Sequence, residues 1–205
     1  MKEELKLNFD DKEIDDNLKP VSDYWIYKGY KINNNGIVEP LQYQKVEYIE
    51  STGTQYINTG VTPKGELYNV EFDFQVTNPI NQTWFFGLDM SFECGILDGS
   101  FYQGSGATYS QNNSLTARTT AKLNKKVTCD RSFLLFARDY DGNEIYYQPA
   151  SMKLYSATIK ANGETIRKFI PCYRISDKQA CLYDEIEEKF YTNLGTGDFS
   201  CGPEV

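Results

Sequence analysis

Lys45-Val46-Glu47-Tyr48-Ile49-Glu50-Ser51-Thr52-Gly53-Thr54-Gln55-Tyr56-Ile57-Asn58-Thr59-Gly60-Val61 is the stretch on which the fold turns. Val46, Tyr48 and Glu50 alternate with Glu47 and Ile49, the period-two pattern of a strand. Ser51 to Thr54 carries turn chemistry around Gly53, and Gln55 to Asn58 resumes an extended run before Gly60. The local reading is two short strands joined by a tight turn.

Outward from this stretch the composition is that of a β protein. Sixteen Tyr, twelve Phe and fifteen Gly stand among Thr- and Ile-containing runs separated by turn dipeptides, with no long helical periodicity. A chain of 205 residues accommodates one β domain plus an appendage, since sandwiches run to about 200–250 residues as one unit. The formal charge of -8 and the pI near 4.7 remove the general attraction for phosphate backbones, so nucleic acid is not an expected partner. No apolar run approaches the ~20 residues that cross a bilayer, and membrane insertion is not expected. Met1 to Asp11 holds no uninterrupted apolar segment and no small-residue cleavage site, so no secretory signal is read there.

Five cysteines, Cys94, Cys129, Cys172, Cys181 and Cys201, form no CxxC pair. Reduced thiols packed as small apolar groups are the expected state, and a Cys172 to Cys181 disulfide is the alternative that spacing leaves open. The chain has no His, which removes imidazole-containing zinc sites and both Ser-His-Asp and Cys-His nucleophile systems.

Residues 1–20 carry four Lys against seven Asp or Glu and read as a tail or an arm ordered on contact. Tyr24 to Ile32, the turn Asn33-Asn34-Asn35-Gly36 and Ile37 to Pro40 read as a small β-hairpin over 21–40, because Asn-Gly accepts the positive φ angles of a primed turn. A lone hairpin needs a surface to pack on. Tyr24, Trp25, Tyr27 and Tyr30 are therefore candidate docking residues on one reading, and a cap on the domain's own sheet on the other.

From Tyr68 to Val76 the alternation is clean: Val70, Phe72, Phe74 and Val76 point to a core, and Glu71, Asp73 and Gln75 to water or a ligand. Thr83 to Leu88 is apolar throughout, which predicts burial on both sides. Ser91 to Leu97 continues the sheet. Three further hairpins are expected: Ser132 to Tyr140 with Glu144 to Tyr147 about Asp141-Gly142, Lys153 to Lys160 with Glu164 to Ile170 about Asn162-Gly163, and Cys181 to Asp184 with Lys189 to Thr192. The segment Gly99 to Ser114 is rich in Gly, Ser, Tyr, Gln and Asn, a composition shared by recognition loops and by ordinary solvated β connections. Tyr102, Tyr109, Gln111, Asn112 and Asn113 are its candidate ligand contacts, with Tyr as a stacking platform and the amides as hydrogen-bonding groups.

The stretch from Lys45 to Val61, with Phe169-Ile170-Pro171-Cys172-Tyr173-Arg174, Leu182-Tyr183-Asp184 and the run Lys189 to Phe199, resembles LamG-like, concanavalin-A-like jelly-roll domains of bacteriophage virion proteins and bacterial surface proteins. Cys181 departs from the pattern, since the family commonly has Gly before Leu-Tyr-Asp. The resemblance implies an all-β antiparallel β-sandwich of the jelly-roll kind over 41–205, preceded by a 1–40 arm with its hairpin as a docking segment. It also implies that the terminal strands lie side by side, bringing Val46 to Asn58 close to Phe190 to Phe199 and protecting sheet edges.

Retaining glycoside hydrolases of this architecture carry Glu-x-Asp-x-Glu on one strand, as nucleophile and acid/base. Here the corresponding residues are Glu71-Phe72-Asp73-Phe74-Gln75. Gln75 cannot transfer a proton, and no enzymatic activity is expected. The acidic run Asp184 to Glu188 reads as a surface turn. Calcium at a sheet rim would draw on Asp89, Asp98 or Asp139, but none lies in a dense ligand motif, so no metal or cofactor is expected.

The functional expectation from the resemblance is a virion accessory protein, made in the host bacterial cytoplasm: a capsid decoration or head-fibre-like subunit, or a tail adhesin. Its partners would be phage capsid or tail proteins and host-surface or mucus glycans, bound weakly and multivalently by a homo-oligomer, with a trimer the common form of such appendages. The alternatives are a purely structural decoration subunit without ligand, a bacterial surface carbohydrate-binding protein, and a glycosidase.

Overall fold

The computed structural model describes residues 19–21, 24–27, 30–33, 38–88, 92–103, 105–111, 113–140 and 149–205, with side chains from residue 41 onward. The chain divides between Gln44 and Lys45 into two compact units. Among the described residues there is no helix, hence none long and apolar enough to cross a membrane.

In the first unit β1 (Lys19–Val21), β2 (Tyr24–Tyr27), β3 (Tyr30–Asn33) and β4 (Val38–Pro40) form an antiparallel meander in that order. The run Tyr24 to Ile32, expected as one arm of a single hairpin, is two strands: Tyr27 pairs with Tyr30, and Trp25 with Ile32. Ile32 in turn pairs with Val38, across the expected Asn-Gly turn, whose residues 34–37 lie outside the described ones. The strand β5 (Tyr43–Lys45) follows at the boundary.

The second unit is an antiparallel sandwich. Its strands are β6 (Ile49–Thr52), β7 (Ile57–Asn58), β8 (Lys64–Asn78), β9 (Thr83–Leu88), β10 (Phe92–Leu97), β11 (Ser100–Phe101), β12 (Thr108–Tyr109), β13 (Thr119–Thr128), β14 (Leu134–Leu135), β15 (Ser151–Ala161), β16 (Glu164–Arg174), β17 (Gln179–Asp184), β18 (Lys189–Tyr191) and β19 (Ser200–Cys201). The smaller sheet runs β11-β10-β9-β14-β7. The larger runs β12-β13-β8-β15, and the far edge of β15 then forks: Ser151 to Leu154 pair with β6, and Ala157 to Ala161 with β16. β17 and β18 extend one branch, and β19 the other.

The core lies between the sheets and is built by alternation. Val70, Phe72, Phe74 and Val76 of β8 are buried, as the sequence pattern predicts, and meet Phe85 and Phe86 of β9, with Phe74 and Phe85 rings 4.8 Å apart and Phe72 and Phe86 6.1 Å apart. Each such ring contributes about 1.5–3 kcal/mol by leaving water. All six residues of β9 are buried, as expected. One cause is a β-bulge: Cys94 pairs with Phe86 and Gly95 with Trp84, leaving Phe85 as the extra residue. The bulge lets consecutive Phe side chains both reach the core.

The stretch Lys45 to Val61 forms two short strands joined by a turn, as its pattern predicts, but the two do not pair with each other: β6 joins the larger sheet and β7 the smaller, so the turn between them crosses the sandwich. The buried side chain of Gln55 drives this, its Oε1 accepting from Ser51 Oγ at 3.0 Å and Thr52 N at 2.9 Å while its Nε2 donates to the Asp198 carbonyl at 3.1 Å. Ser132 to Tyr140, expected as one strand, is not one. Leu134–Leu135 forms a strand that stops at Phe136, whose φ of 67° no strand continues, and Asp139 then makes a single bridge to Leu88. Its expected partner, Glu144 to Tyr147, lies outside the described residues.

The hairpin about Asn162-Gly163 forms, with φ of 50° and 88° at the two turn residues. The hairpin from β17 to β18 also forms. There Asp184 is fully buried and its Oδ1 accepts from Lys168 N at 2.8 Å and Ile186 N at 3.1 Å, so the carboxylate ties β16 to the β17–β18 turn. The last residues close over the start of this unit: β19 pairs with β6, Thr196 N donates to the Thr54 carbonyl at 3.1 Å, and Leu194 N donates to that of Tyr56 at 3.0 Å. A Cβ on Gly195 would stand 2.0 Å from the Thr54 carbonyl oxygen, so only Gly fits this approach.

Candidate functional site

The same alternation that buries one face of β8 presents the other to solvent, and register aligns it with the outward residues of its neighbours. Three cross-strand rows result: Thr120, Asp73 and Ser156; Lys122, Glu71 and Thr158; Asn124, Asn69 and Lys160. These nine residues line a groove of about 780 Å³ on the outer face of the larger sheet, which reaches Gly163 at one end. A groove of this size lies in the range of ligand sites, although its floor is polar rather than apolar.

Glu71 and Asp73 each hold a cation. Lys122 Nζ lies 2.9 Å from Glu71 Oε2, and Arg118 donates from Nε and Nη2 to Asp73 Oδ2 at 3.0 and 2.6 Å. Gln75 is used on both sides, its Nε2 donating to the Thr116 carbonyl at 2.9 Å and its Oε1 accepting from Tyr155 Oη at 3.0 Å.

At the end where Asp73 and Ser156 line it, the groove borders an aromatic and cationic cluster. β15 has its own bulge: Leu154 pairs with Phe74 and Ser156 with Asp73, so Tyr155 is inserted between them and turned outward. The Arg118 guanidinium carbon lies 3.6 Å from the centre of the Tyr155 ring, Lys153 Nζ lies 4.1 Å from that of Tyr48, and the two tyrosines meet edge to face at 5.5 Å. The hydrogen bonds to Asp73 raise the Arg118 pKa, and the one to Tyr48 raises that of Lys153, so both cations are held in their charged form.

The loop residues singled out in the sequence are placed differently from one another. Tyr109 is half-buried, stacks on Phe101 at 4.6 Å, and donates its hydroxyl to the Tyr102 carbonyl at 2.7 Å. Tyr102 packs edge-on against Trp84 at 5.3 Å. Gln111 spans its own loop, donating from Nε2 to the Ser114 and Ala117 carbonyls at 2.9 and 3.3 Å. Asn113 is exposed, and Asn112 lies outside the described residues. Thus Tyr102 and Tyr109 come together, and Tyr102, Tyr109, Gln111 and Asn113 do not line the groove. The side chains of Tyr24, Trp25, Tyr27 and Tyr30 fall outside the description.

Of the three acidic residues considered for calcium, Asp139 is buried against Arg131 at 3.1 Å, Asp98 is exposed, and Asp89 lies outside the described residues. Among the described residues no group of three or more His, Cys, Asp or Glu could hold a metal ion. The smaller sheet carries a buried ion pair, Glu93 with Arg138, whose guanidinium carbon lies 3.9 Å over Trp84. The five thiols are free; Cys172 and Cys181 face each other in register with sulfurs 3.6 Å apart.

Sequence reasoning found the outward face of β8 and missed Arg118, Lys122, Asn124, Tyr155, Thr158 and Lys160, which share that face only through register. No family model, curated protein or solved structure matches this chain.

Proposed function

We propose that the Lys45–Val205 sandwich is a non-catalytic glycan-binding module of a bacteriophage virion accessory protein, with the preceding unit as its attachment segment. The observation that carries the glycan reading is the groove: a sheet face about 780 Å³ in volume whose walls are hydroxyls, amides and paired charges, the groups that exchange hydrogen bonds with a sugar chain. Tyr48 and Tyr155 at its border supply ring surface for a pyranose to pack against. Glu71 and Asp73 are each engaged by a cation and Gln75 replaces the third carboxylate, which speaks for retention of the chain rather than its hydrolysis. The virion context rests on the resemblance of the Lys45 to Val61, Phe169 to Arg174 and Lys189 to Phe199 phrases to virion jelly rolls.

Two experiments test it. Binding of the full chain to host cells and to purified host polysaccharide is compared with that of Thr158→Trp, which fills the groove from a half-exposed position; loss of binding in the folded variant supports the reading. Co-sedimentation with phage heads and tails, full chain against a version starting at Leu41, tests the virion placement. Retention of the full chain alone supports docking through residues 1–40, and retention of neither form rejects it.

A further inference from the structure

We infer that the glycan this groove takes is anionic, with an acid group seated on Lys160 at the end of the row it forms with Asn69 and Asn124; this rests on the glycan-binding reading above. Within the groove the charges of two rows are satisfied internally, Glu71 by Lys122 and Asp73 by Arg118. The third row differs. Lys160, Asn69 and Asn124 stand side by side across three strands, and none of their side chains forms a hydrogen bond or ion pair with another described residue. Among the described residues Lys160 is thus the one uncompensated charge lining the groove, in a chain whose net charge is -8.

Glu164, the carboxylate nearest in sequence, pairs with Ala161, whose side chain packs on the core, and so belongs to the opposite side of the sheet from Lys160. The turn at Asn162-Gly163 bounds the groove beside this row: Asn162 accepts from Leu67 N at 3.1 Å and donates its own N–H to the Leu67 carbonyl at 2.9 Å, which fixes that end of the groove. The row runs Asn124, Asn69, Lys160, so an ammonium stands beside one carboxamide with a second beyond it, presenting donors only from Lys160 and both donors and acceptors from Asn69 and Asn124. That set fits an acid oxygen together with the hydroxyl beside it, as in a uronic acid or a polyol phosphate. The shared chemistry is a polyhydroxylated chain bearing oxyanions.

The test uses the full chain and three probe polymers: dextran as the neutral chain, polygalacturonate for carboxylates, and poly(glycerol phosphate) for phosphodiesters, with binding measured by titration calorimetry. At least one anionic polymer is expected to bind more tightly than dextran. Lys160→Gln should weaken that binding by about fivefold, the worth of one exposed charge-assisted contact, and Lys160→Arg should retain it. Lys178→Gln, which removes an equal charge from an exposed turn away from the groove, should leave it unchanged. Preference for polygalacturonate or for the phosphodiester supports the proposal and identifies the acid. Dextran binding that equals anionic binding and is lost in Thr158→Trp overturns the anionic inference and leaves the glycan reading standing. Equal weakening by Lys160→Gln and Lys178→Gln overturns it as non-specific charge, and failure of all three polymers to bind overturns both.

Discussion

Arg118 lies over the ring of Tyr155, its guanidinium carbon 3.6 Å from the ring centre, while Nη2 of the same group reaches Asp73 at 2.6 Å. One side chain thereby ties the start of β13 to the outward faces of β8 and β15, and fixes the ring that a bulge has turned toward solvent. Half of the Arg118 side chain remains exposed, 49% by area, so the pair is screened and its value is modest.

Arg118→Ala is accordingly expected to lower stability by only about 0.5–1 kcal/mol, read from the urea midpoint. It should lower glycan binding more than this suggests, because Tyr155 loses the cation that holds its ring. A variant with unchanged binding would detach the cluster from the groove.

The buried pair Glu93 with Arg138 behaves in the opposite way. Both side chains are at most 5% exposed, so Glu93→Ala, which removes the carboxylate that faces the buried guanidinium, should cost about 3–5 kcal/mol. Replacing both residues by Met should cost much less than the sum of the two single changes. A double-mutant cycle by denaturant unfolding decides this, and additive losses would show that the pair contributes no coupling energy.

Closure of the sandwich depends on the approach of Gly195 to Thr54. Gly195→Ala places a Cβ 2.0 Å from the Thr54 carbonyl oxygen and should cost about 2 kcal/mol or more, in the range of other steric insertions. Gly163→Ala, where a Cβ meets nothing within 4 Å, should cost less, through its positive φ alone. Unfolding midpoints in the same order for both variants would support this account of closure.

Alkaline pH provides an independent check on the core. Burial, aided by the hydrogen bond to Glu66, pushes the Tyr68 phenol up to about 12, and burial also raises Tyr109 and Tyr191 above the ordinary range. An unfolded Tyr ionises near pH ~10, so the folded state holds these protons after the unfolded state has lost them. Stability is therefore fully present below pH ~10 and should fall as pH rises from there through 12. Tyr68→Phe should make the fall shallower, and an unfolding midpoint flat from pH 9 to 12 would contradict the burial described.

Much of this fold was legible locally. The alternation over Tyr68 to Val76 fixes which face of β8 is core, and Asn162-Gly163 announces its turn through residues that tolerate positive φ. What local pattern does not carry is partner choice. Ile49 and Ile57 lie in equally strand-like runs, yet one joins each sheet, and the deciding interactions of Gln55 extend to Asp198 at the other end of the chain. The bulges at Phe85 and Tyr155 shift the phase of alternation by one residue, so that Tyr155 and Ser156 are both outward. The groove was invisible for a related reason: Asn69, Asn124 and Lys160 become neighbours only once β13, β8 and β15 are paired in register. Composition instead directed attention to the loop of Tyr102 and Tyr109, whose rings pack against Trp84 and Phe101.

Glycan retention by the groove is measured most directly as binding of purified host-surface polysaccharide to the full chain and to Thr158→Trp, with the polymer's chain length measured before and after incubation. Saturable binding by the unaltered chain, at least tenfold weaker in the folded variant, with polymer length unchanged, is the expected result. Equal binding by both proteins would place the ligand elsewhere, and shortening of the polymer that disappears in Glu71→Gln would make the groove an active site instead.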